Sequence, residues 1–174
     1  MVIIRSLKPS DTEALATIYR ACFAEPPWHE EFTQEEVTED ILGVAGHEDS
    51  IMAIAEVDGI VIGAAWLFNL HRKPDVLELA KISGVSPYIS EIFVSPNARH
   101  KGIARALVQE ILSKVSNPEY GAVRTSIKQP AIIKLFEKLE WQIVATETVI
   151  SKKHLDGQIV EAPDTRVILV GSVS

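Results

Sequence analysis

The fold is decided by residues 88–107, which read YISEIFVSPNARHKGIARAL. The first part, Tyr88 to Val94, is rich in β-branched and aromatic residues and predicts a strand. Pro96 to Lys101 predicts a turn, and a long helix is predicted from Gly102 because apolar residues then recur every four positions. These residues are Ile103, Leu107, Ile111 and Val115. The stretch is therefore a strand that enters a helix through a basic turn.

The start of this helix has the chemistry of an anion site. The first turn of any helix leaves about four N–H groups without intrahelical acceptors, and the helix dipole adds partial positive charge there. Gly102 lets the backbone close on a ligand, Ala104 leaves room, and Arg99, His100 and Lys101 add positive charge. A pyrophosphate fits this description. The alternative is a basic turn whose glycine only permits tight packing; a dinucleotide-binding loop would need three glycines and a later acidic residue.

The remaining sequence predicts an α/β layered domain with helices on the faces of a mixed sheet. Further strands are predicted at Val2 to Arg5, Ser50 to Val57, Ile60 to Leu67, Ala122 to Ile127, Gln142 to Ile150 and Arg166 to Val170. Further helices are predicted before Pro26-Pro27, from a capping box at Thr33 and Glu36 to Gly43 or Gly46, and after Pro130. Asp58-Gly59 predicts a hairpin turn. Residues 69–85 are expected to be an insertion with a helical piece around Val76 to Ile82, and Ser151 to Thr165 a polar loop.

The composition excludes several function classes. A chain of 174 residues is the size of one domain, and its net charge of −7 argues against nucleic acid as a partner. No apolar run approaches the ~20 residues of a membrane span, and no signal peptide is recognisable, so a cytoplasmic protein is expected. The lone Cys22 is expected in the core, and the five histidines show no metal-ligand spacing.

Residues 88–107 resemble the central motif of the GCN5-related N-acetyltransferases (GNAT). The likeness lies in the strand, its Val-Ser-Pro exit, and the turn from Arg99 to Ala104, which has the form Arg/Gln-x-x-Gly-x-Gly/Ala. It implies one domain over residues 1–174 with a mixed, mostly antiparallel sheet of about seven strands and helices on both faces. It also implies acetyl-CoA as cofactor, admitted by a splay between this strand and the strand at Ala122 to Ile127. The cofactor-binding residues it implies are Ile92, Phe93, Val94, Arg99, His100, Lys101, Gly102, Ile103, Ala104, Arg105, Gln129 and Phe136.

Direct attack on a thioester requires a neutral amine, and a lysine-like amine with a pKa of ~10.4 is almost entirely protonated at neutral pH. Glu91 is the candidate base, because a carboxylate among apolar strand residues is unusual without a partner. Strand alternation places it on the face of Ile89 and Phe93. The alternatives for Glu91 are a structural ion pair, or binding of a cationic substrate without proton transfer.

The proton donor to the leaving thiolate is not evident from the sequence. Many proteins similar to this one carry a tyrosine on the later helix, where this chain has Phe136. Tyr88 and Tyr120 are the substitutes considered, and a thiol pKa near 8.5 allows departure without an acid.

The loop from Glu25 to Phe32 is the candidate acceptor site. Two prolines present Trp28 among several carboxylates, a combination that suits a cationic amine. The alternative is a helix stop whose indole caps the core.

Two function classes follow. The first is an N-acetyltransferase acting on a primary amine of a small molecule or peptide. The second is a catalytically silent acyl-CoA-binding sensor or interaction module, which Phe136 favours. A nucleotide-binding regulator is a third hypothesis. A homodimer through residues 151–165 and the last strand is also considered.

Overall fold

The computed structural model describes residues 1–173, which form seven strands, five α-helices and three short 3-10 turns. The strands are β1 Val2–Ser6, β2 Ile51–Val57, β3 Ile60–Asn69, β4 Pro87–Val94, β5 Tyr120–Ser126, β6 Gln142–Leu155 and β7 Gln158–Ser172. The helices are α1 Thr12–Ala24, α2 Gln34–Ala45, α3 Pro74–Ala80, α4 Ile103–Ser113 and α5 Pro130–Glu137.

All seven strands form one sheet in the order β1-β2-β3-β4-β5-β7-β6. Neighbouring strands are antiparallel except β4 and β5, which are parallel. The predicted single α/β domain with a mixed, mostly antiparallel sheet is therefore confirmed. No helix within residues 1–173 has the length and apolar character needed to cross a bilayer.

Local sequence signals explain several boundaries. The predicted capping box opens α2: the Thr33 hydroxyl accepts from the Glu36 amide at 3.1 Å, and the Glu36 carboxylate accepts from the Thr33 amide at 2.8 Å. Helix α2 ends against Gly46. Asp58 and Gly59 both have positive φ and close the β2–β3 hairpin, as predicted.

Helices cover both faces of the sheet, because alternate strand residues point to opposite sides. On β3, Ala65 and Leu67 join the core cluster that also contains Leu107 of α4 and Phe136 of α5. Ala64 and Trp66 point the other way, into the cluster under α1 and α2. Residue Phe68 belongs to this second face as well, in a cluster with Val76 of α3.

The segment expected to be an insertion is part of the sheet's cover. Helix α3 contains most of the predicted helical piece but begins earlier, at Pro74. Its residue Val76 is fully buried against Phe68 and Ile168. Residues 74–80 therefore seal the sheet beside β5 and β7.

The prediction of a polar loop from Ser151 to Thr165 is wrong. Strands β6 and β7 run through it as one long hairpin of 14 and 15 residues, with Asp156 and Gly157 at positive φ in its turn. The outer arms of the hairpin are largely exposed, so they lack the alternation of apolar and polar residues that marks a half-buried strand. Pro163 within β7 added to the loop-like composition.

A β-bulge in β4 changes the predicted orientation around the catalytic candidate. The β3–β4 register passes from Trp66 opposite Glu91 to Leu67 opposite Ile89, which leaves Ser90 as the extra residue. Ile89 consequently packs in the core under α4 and α5, while Phe93 packs under α1 and α2. The prediction that Glu91 shares a face with both residues is wrong for Ile89. Because paired residues point to the same face, Glu91 lies with Trp66 on the side of α1, α2 and α3.

Candidate functional site

A cleft opens where the two parallel strands of the sheet separate. Strands β4 and β5 pair only at Tyr88 with Ala122 and at Ile89 with Val123, and they diverge beyond these residues. The divergence borders a cavity of about 1150 Å³. Its walls come from β4, β5, β6 and β7, from the starts of α3 and α4, from α5, and from the end of α1 and the loop after it. The splay implied by the sequence resemblance is thus present in the structure.

The start of α4 lies in this cavity and presents backbone rather than side chains. Gly102 caps the helix in the left-handed region with φ of 77°, and no side chain bonds to the cap. His100 also has positive φ, at 64°. A Cβ built on Gly102 would meet no atom within 4 Å, so open space lies in front of the first turn. The helix start therefore offers free amides to an anion in the cavity.

Most of the residues proposed from the sequence to bind the cofactor converge on the cavity. The residues that line it are Ile92, Phe93, Val94, Arg99, His100, Gly102, Ile103, Ala104, Arg105 and Gln129. Lys101 is exposed and is not part of the lining.

Phe136 also lies outside the cavity. It is fully buried in the core, with its ring centroid 4.9 Å from that of Trp141. The structure therefore gives this side chain a packing role and no direct access to a ligand in the cleft.

The Arg99 side chain is engaged by the protein itself. Its Nε donates to the Val94 carbonyl at 3.1 Å, and its Nη1 lies 2.7 Å from a carboxylate oxygen of Glu25. The buried Cys22 thiol donates to the same Val94 carbonyl at 3.3 Å. The positive charge predicted for this turn is thus partly neutralised at Arg99.

Further positive charge reaches the cavity from α5. Lys134 and Lys138 are exposed, lie one turn apart and line the cavity together with Arg105 of α4. None of the three side chains has an ion-pair partner within residues 1–173. Sequence reasoning missed both lysines, although their i, i+4 spacing on a predicted helix was a readable signal.

Glu91 faces the cavity from β4 as a partly buried carboxyl group. Burial raises the pKa of Glu91 to about 7; the charge of Arg166 opposes this rise and the charge of Glu30 adds to it. Within the described residues, no hydrogen bond or salt bridge holds this carboxylate. A group that titrates near neutral pH and has no fixed partner can accept a proton from a ligand.

Glu30 is a second carboxylate in the cavity that sequence reasoning did not single out as a site residue. It is only 8% exposed, and its amide is fixed by a 2.9 Å bond to the Phe23 carbonyl. Burial raises the pKa of Glu30, against the charges of Lys153, His154 and Arg166. Its place among the carboxylates that flank Trp28 was the available sequence signal.

Trp28 lines the cavity, but its ring already has a cationic neighbour. The Lys153 Nζ lies 5.9 Å from the indole centroid and donates to the carbonyls of Pro27 and Trp28 at 3.3 and 3.0 Å. The ring also stacks on Phe23 at 5.9 Å. The cation-π partner predicted for Trp28 is therefore supplied, on this face, by the β6 strand.

The two tyrosines considered as proton donors differ in position. Tyr88 is 4% exposed and lines the cavity, and burial raises its pKa to about 12, so the phenol keeps its proton at neutral pH. Tyr120 is 49% exposed, lies at the opposite end of β5 and does not line the cavity. Only Tyr88 is placed to act on a ligand there.

Two arginines that line the cavity from β5 and β7 are fixed by carboxylates. Arg124 Nη1 bonds to Asp75 at 2.7 Å and to Glu147 at 3.0 Å. Arg166 bonds to the buried Asp164 at 3.1 Å, and Ser126 donates to the same carboxylate at 2.8 Å. These pairs tie β5, β6, β7 and α3 together around the cleft. No cluster of three or more metal-binding side chains is found within residues 1–173.

Several solved structures with the same fold are described as N-acetyltransferases. The N-acetyltransferase from Staphylococcus aureus Mu50 is 19% identical with a TM-score of 0.74, over 100% of this chain and 99% of that chain. The ribosomal-protein-alanine N-acetyltransferase from Brucella melitensis is 18% identical with a TM-score of 0.74, over 98% and 99% of the two chains. NAA60 from Arabidopsis thaliana, solved with a bisubstrate analogue, is 18% identical with a TM-score of 0.70, over 99% and 98%. At these identities the likeness shows the fold alone.

Sequence comparison supplies the family. No curated protein matches the chain significantly. The model of the acetyltransferase (GNAT) family, however, matches residues 12–141, which is more than half of the chain and includes the β4–α4 motif. The chain therefore belongs to the GNAT family of acetyltransferases.

Proposed function

We propose that the chain transfers an acetyl group from acetyl-CoA to a primary amine of a small molecule or peptide, by direct attack of the amine. The observation that carries the proposal is the cavity at the β4–β5 split. It joins the amides at the start of α4 to the carboxyl group of Glu91. Donor and acceptor can thus meet in one site, which direct attack requires.

The residues present fit a CoA ligand. The amides from Arg99 to Arg105 would hold the pyrophosphate, since they begin a helix that Gly102 leaves open. The unpaired edge of β4 beyond Ile89 would bind the pantetheine arm as an added strand. Acetyl-CoA would supply the thioester, which is the activated acyl group.

Glu91 is proposed as the general base. A free glutamate is a weak base toward an ammonium group, because its pKa is far below that of the amine. With a pKa of about 7, Glu91 remains largely ionised at slightly alkaline pH and yet accepts a proton more readily than a free glutamate does. Its place on β4 directs the carboxyl group to the α1–α3 face, where the loop after α1 also lines the cavity.

Tyr88 is proposed as the proton donor to the leaving thiolate. Its raised pKa keeps the proton available, and its side chain lines the same cavity as Glu91. Water is sufficient if Tyr88 is too distant from the thiolate, since a thiol pKa near 8.5 makes departure easy.

The second candidate is an acyl-CoA-binding module without turnover. The phenyl ring at position 136 favours this function, because the tyrosine often found there in similar proteins is absent. Such a module would use the amides at the start of α4 and leave Glu91 without a chemical role.

The test is thiol release from acetyl-CoA with polyamines, aminoglycosides, amino acids and peptide N-termini as acceptors. We expect turnover with at least one class, and a loss in kcat of about a hundredfold or more in Glu91→Gln. Glu39→Gln is the matched control, since Glu39 is exposed on α2 and outside the cavity. CoA binding without turnover, unaffected by Glu91→Gln, would favour the silent module. A rise in Tm with ATP but not with CoA would favour a nucleotide-binding regulator.

A further inference from the structure

Two carboxylates face one cavity and neither has a direct partner. Glu30 is more than nine-tenths buried, and within the described residues its carboxylate forms no hydrogen bond or ion pair. Glu91, which lines the cavity from β4, is partly buried and likewise has no hydrogen-bond or ion-pair partner within the described residues. Their charges influence each other, since Glu30 contributes to the raised pKa of Glu91. A carboxylate of a largely buried residue that faces a cavity without a partner can be completed by a cationic ligand.

The nearby positive groups are mostly committed elsewhere. Lys153 donates to two backbone carbonyls, and Arg166 pairs with Asp164. Lys73 lines the cavity and His154 packs on Phe32, but neither is within 4 Å of a carboxylate. Burial outweighs all these charges, because the pKa values of Glu30 and Glu91 are both raised. Arg124 and Lys152 also line the cavity but pair with other carboxylates, so no cation lies within 4 Å of Glu30 or Glu91 in the described residues.

The charges on the acceptor amine and on the two carboxylates distinguish the role of Glu30 from that of Glu91. When an ammonium group gives its proton to Glu91, both groups become neutral, and no positive charge of the ligand remains to pair with Glu30. A monoamine thus leaves Glu30 without a direct charge partner. An acceptor with a second amino group brings the missing charge, and a charge-assisted bond to a buried carboxylate is among the stronger polar contacts.

The size of the acceptor is limited by the long hairpin that sequence reasoning missed. The Glu31 amide donates to the His154 carbonyl at 2.7 Å, and the Asp156 amide donates to the Glu31 carboxylate at 3.0 Å. The hairpin tip is thereby joined to the loop that carries Trp28 and Glu30. The tip itself does not line the cavity, but residues 149–152 of the same hairpin do, as do Trp28 and Glu30 of the loop, so two segments that border this end of the cavity are held together, which favours a small molecule.

From these observations we infer that the acceptor is a small diamine or polyamine, and that Glu30 is the specificity-determining residue that binds its second ammonium group. This inference rests on the proposed function, with Glu91 acting on the first amine. The assignment gives Glu30 a role in binding and none in proton transfer.

The test compares 1,4-diaminobutane with butylamine, which differ by one amino group. Each is titrated calorimetrically into the protein saturated with CoA, for the wild type, Glu30→Gln and Glu35→Gln. Glu35 is the control because it lies in the first turn of α2, is exposed and does not line the cavity. We expect the diamine to bind the wild type about tenfold to a hundredfold more tightly than the monoamine. We expect Glu30→Gln to remove this preference without weakening butylamine binding, and Glu35→Gln to retain it.

Three outcomes would overturn the inference: equal binding of the two amines, no binding of the diamine, or a loss of both affinities alike in Glu30→Gln. The wild-type comparison decides even if Glu30→Gln does not fold. Thiol-release assays keep the two proposals apart. Turnover with monoamines as fast as with diamines would remove the diamine assignment and leave acetyl transfer intact. Selective diamine binding without any thiol release would remove acetyl transfer and leave the amine site.

Discussion

Arg99 and Glu25 form an ion pair of 2.7 Å that joins the turn before α4 to the loop carrying Trp28. The two residues are far apart in sequence, and their side chains are 38% and 41% exposed. The pair connects the proposed donor half of the cavity to its acceptor half. It also consumes charge that a phosphate group would otherwise attract.

Removal of Glu25 should therefore strengthen donor binding. In Glu25→Gln the Arg99 guanidinium is freed, and we expect CoA to bind up to about fivefold more tightly at low salt, the range of an exposed ion pair. The gain should disappear at high salt because the contact is screened. Calorimetric titration of CoA at two salt concentrations measures this, with Glu39→Gln as control. Weaker CoA binding would show that the pair shapes the turn more than it shields charge.

Gly102 should be required by the ligand more than by the fold. Gly102 and Gly59 both have positive φ, and a Cβ at either position would meet no atom within 4 Å. Alanine should thus cost each site about 1 kcal/mol of unfolding free energy. Only Gly102→Ala places a methyl group in the cavity, so it alone should weaken CoA binding, by about tenfold or more. Similar losses of CoA affinity in Gly59→Ala and Gly102→Ala would contradict the assignment of the α4 start as the pyrophosphate-binding site.

Glu91 should make the stability of the protein depend on pH. Its pKa is about 7 in the folded state, above the ordinary 4.5, so the unfolded chain loses this proton first as pH rises. The folded state is then progressively destabilised between those two values, and the full cost remains above pH 7. Glu91→Gln, which resembles the protonated form, should raise the free energy of unfolding by up to about 3 kcal/mol at pH 8 and by little at pH 4. Urea unfolding at both pH values measures this. An equal effect at the two values would contradict a buried ionisable role.

The β4–α4 segment was predictable because its signals are local: a β-branched strand, a basic turn with Gly102, and a helical apolar period. The bulge at Ser90 was not predictable, because it depends on how β3 pairs with β4. It reverses the alternation of side chains between the two faces of β4 on one side of the bulge. The long β6–β7 hairpin was not predicted because exposed strands carry no apolar pattern. Glu30 was not predicted as a site residue for a related reason: its burial results from a hairpin that the sequence did not predict.

The proton donor can be tested by exchanging the hydroxyl group between two rings. Phe136 is fully buried, packs on Trp141 and does not line the cavity. A hydroxyl added there has no route to the site and must be buried, so Phe136→Tyr should lower stability by about 1–3 kcal/mol without raising kcat. Tyr88→Phe removes the only phenol in the cavity lining and should lower kcat for acetyl transfer by about tenfold or more, with the KM for acetyl-CoA little changed. Steady-state kinetics across pH separates the roles of Tyr88 and Phe136. The loss of kcat in Tyr88→Phe should shrink when the same acceptor is assayed with a donor whose thiol has a lower pKa, because such a thiolate needs no acid. An undiminished loss with that donor, or a faster enzyme in Phe136→Tyr, would show that the proton reaches the thiolate by another path.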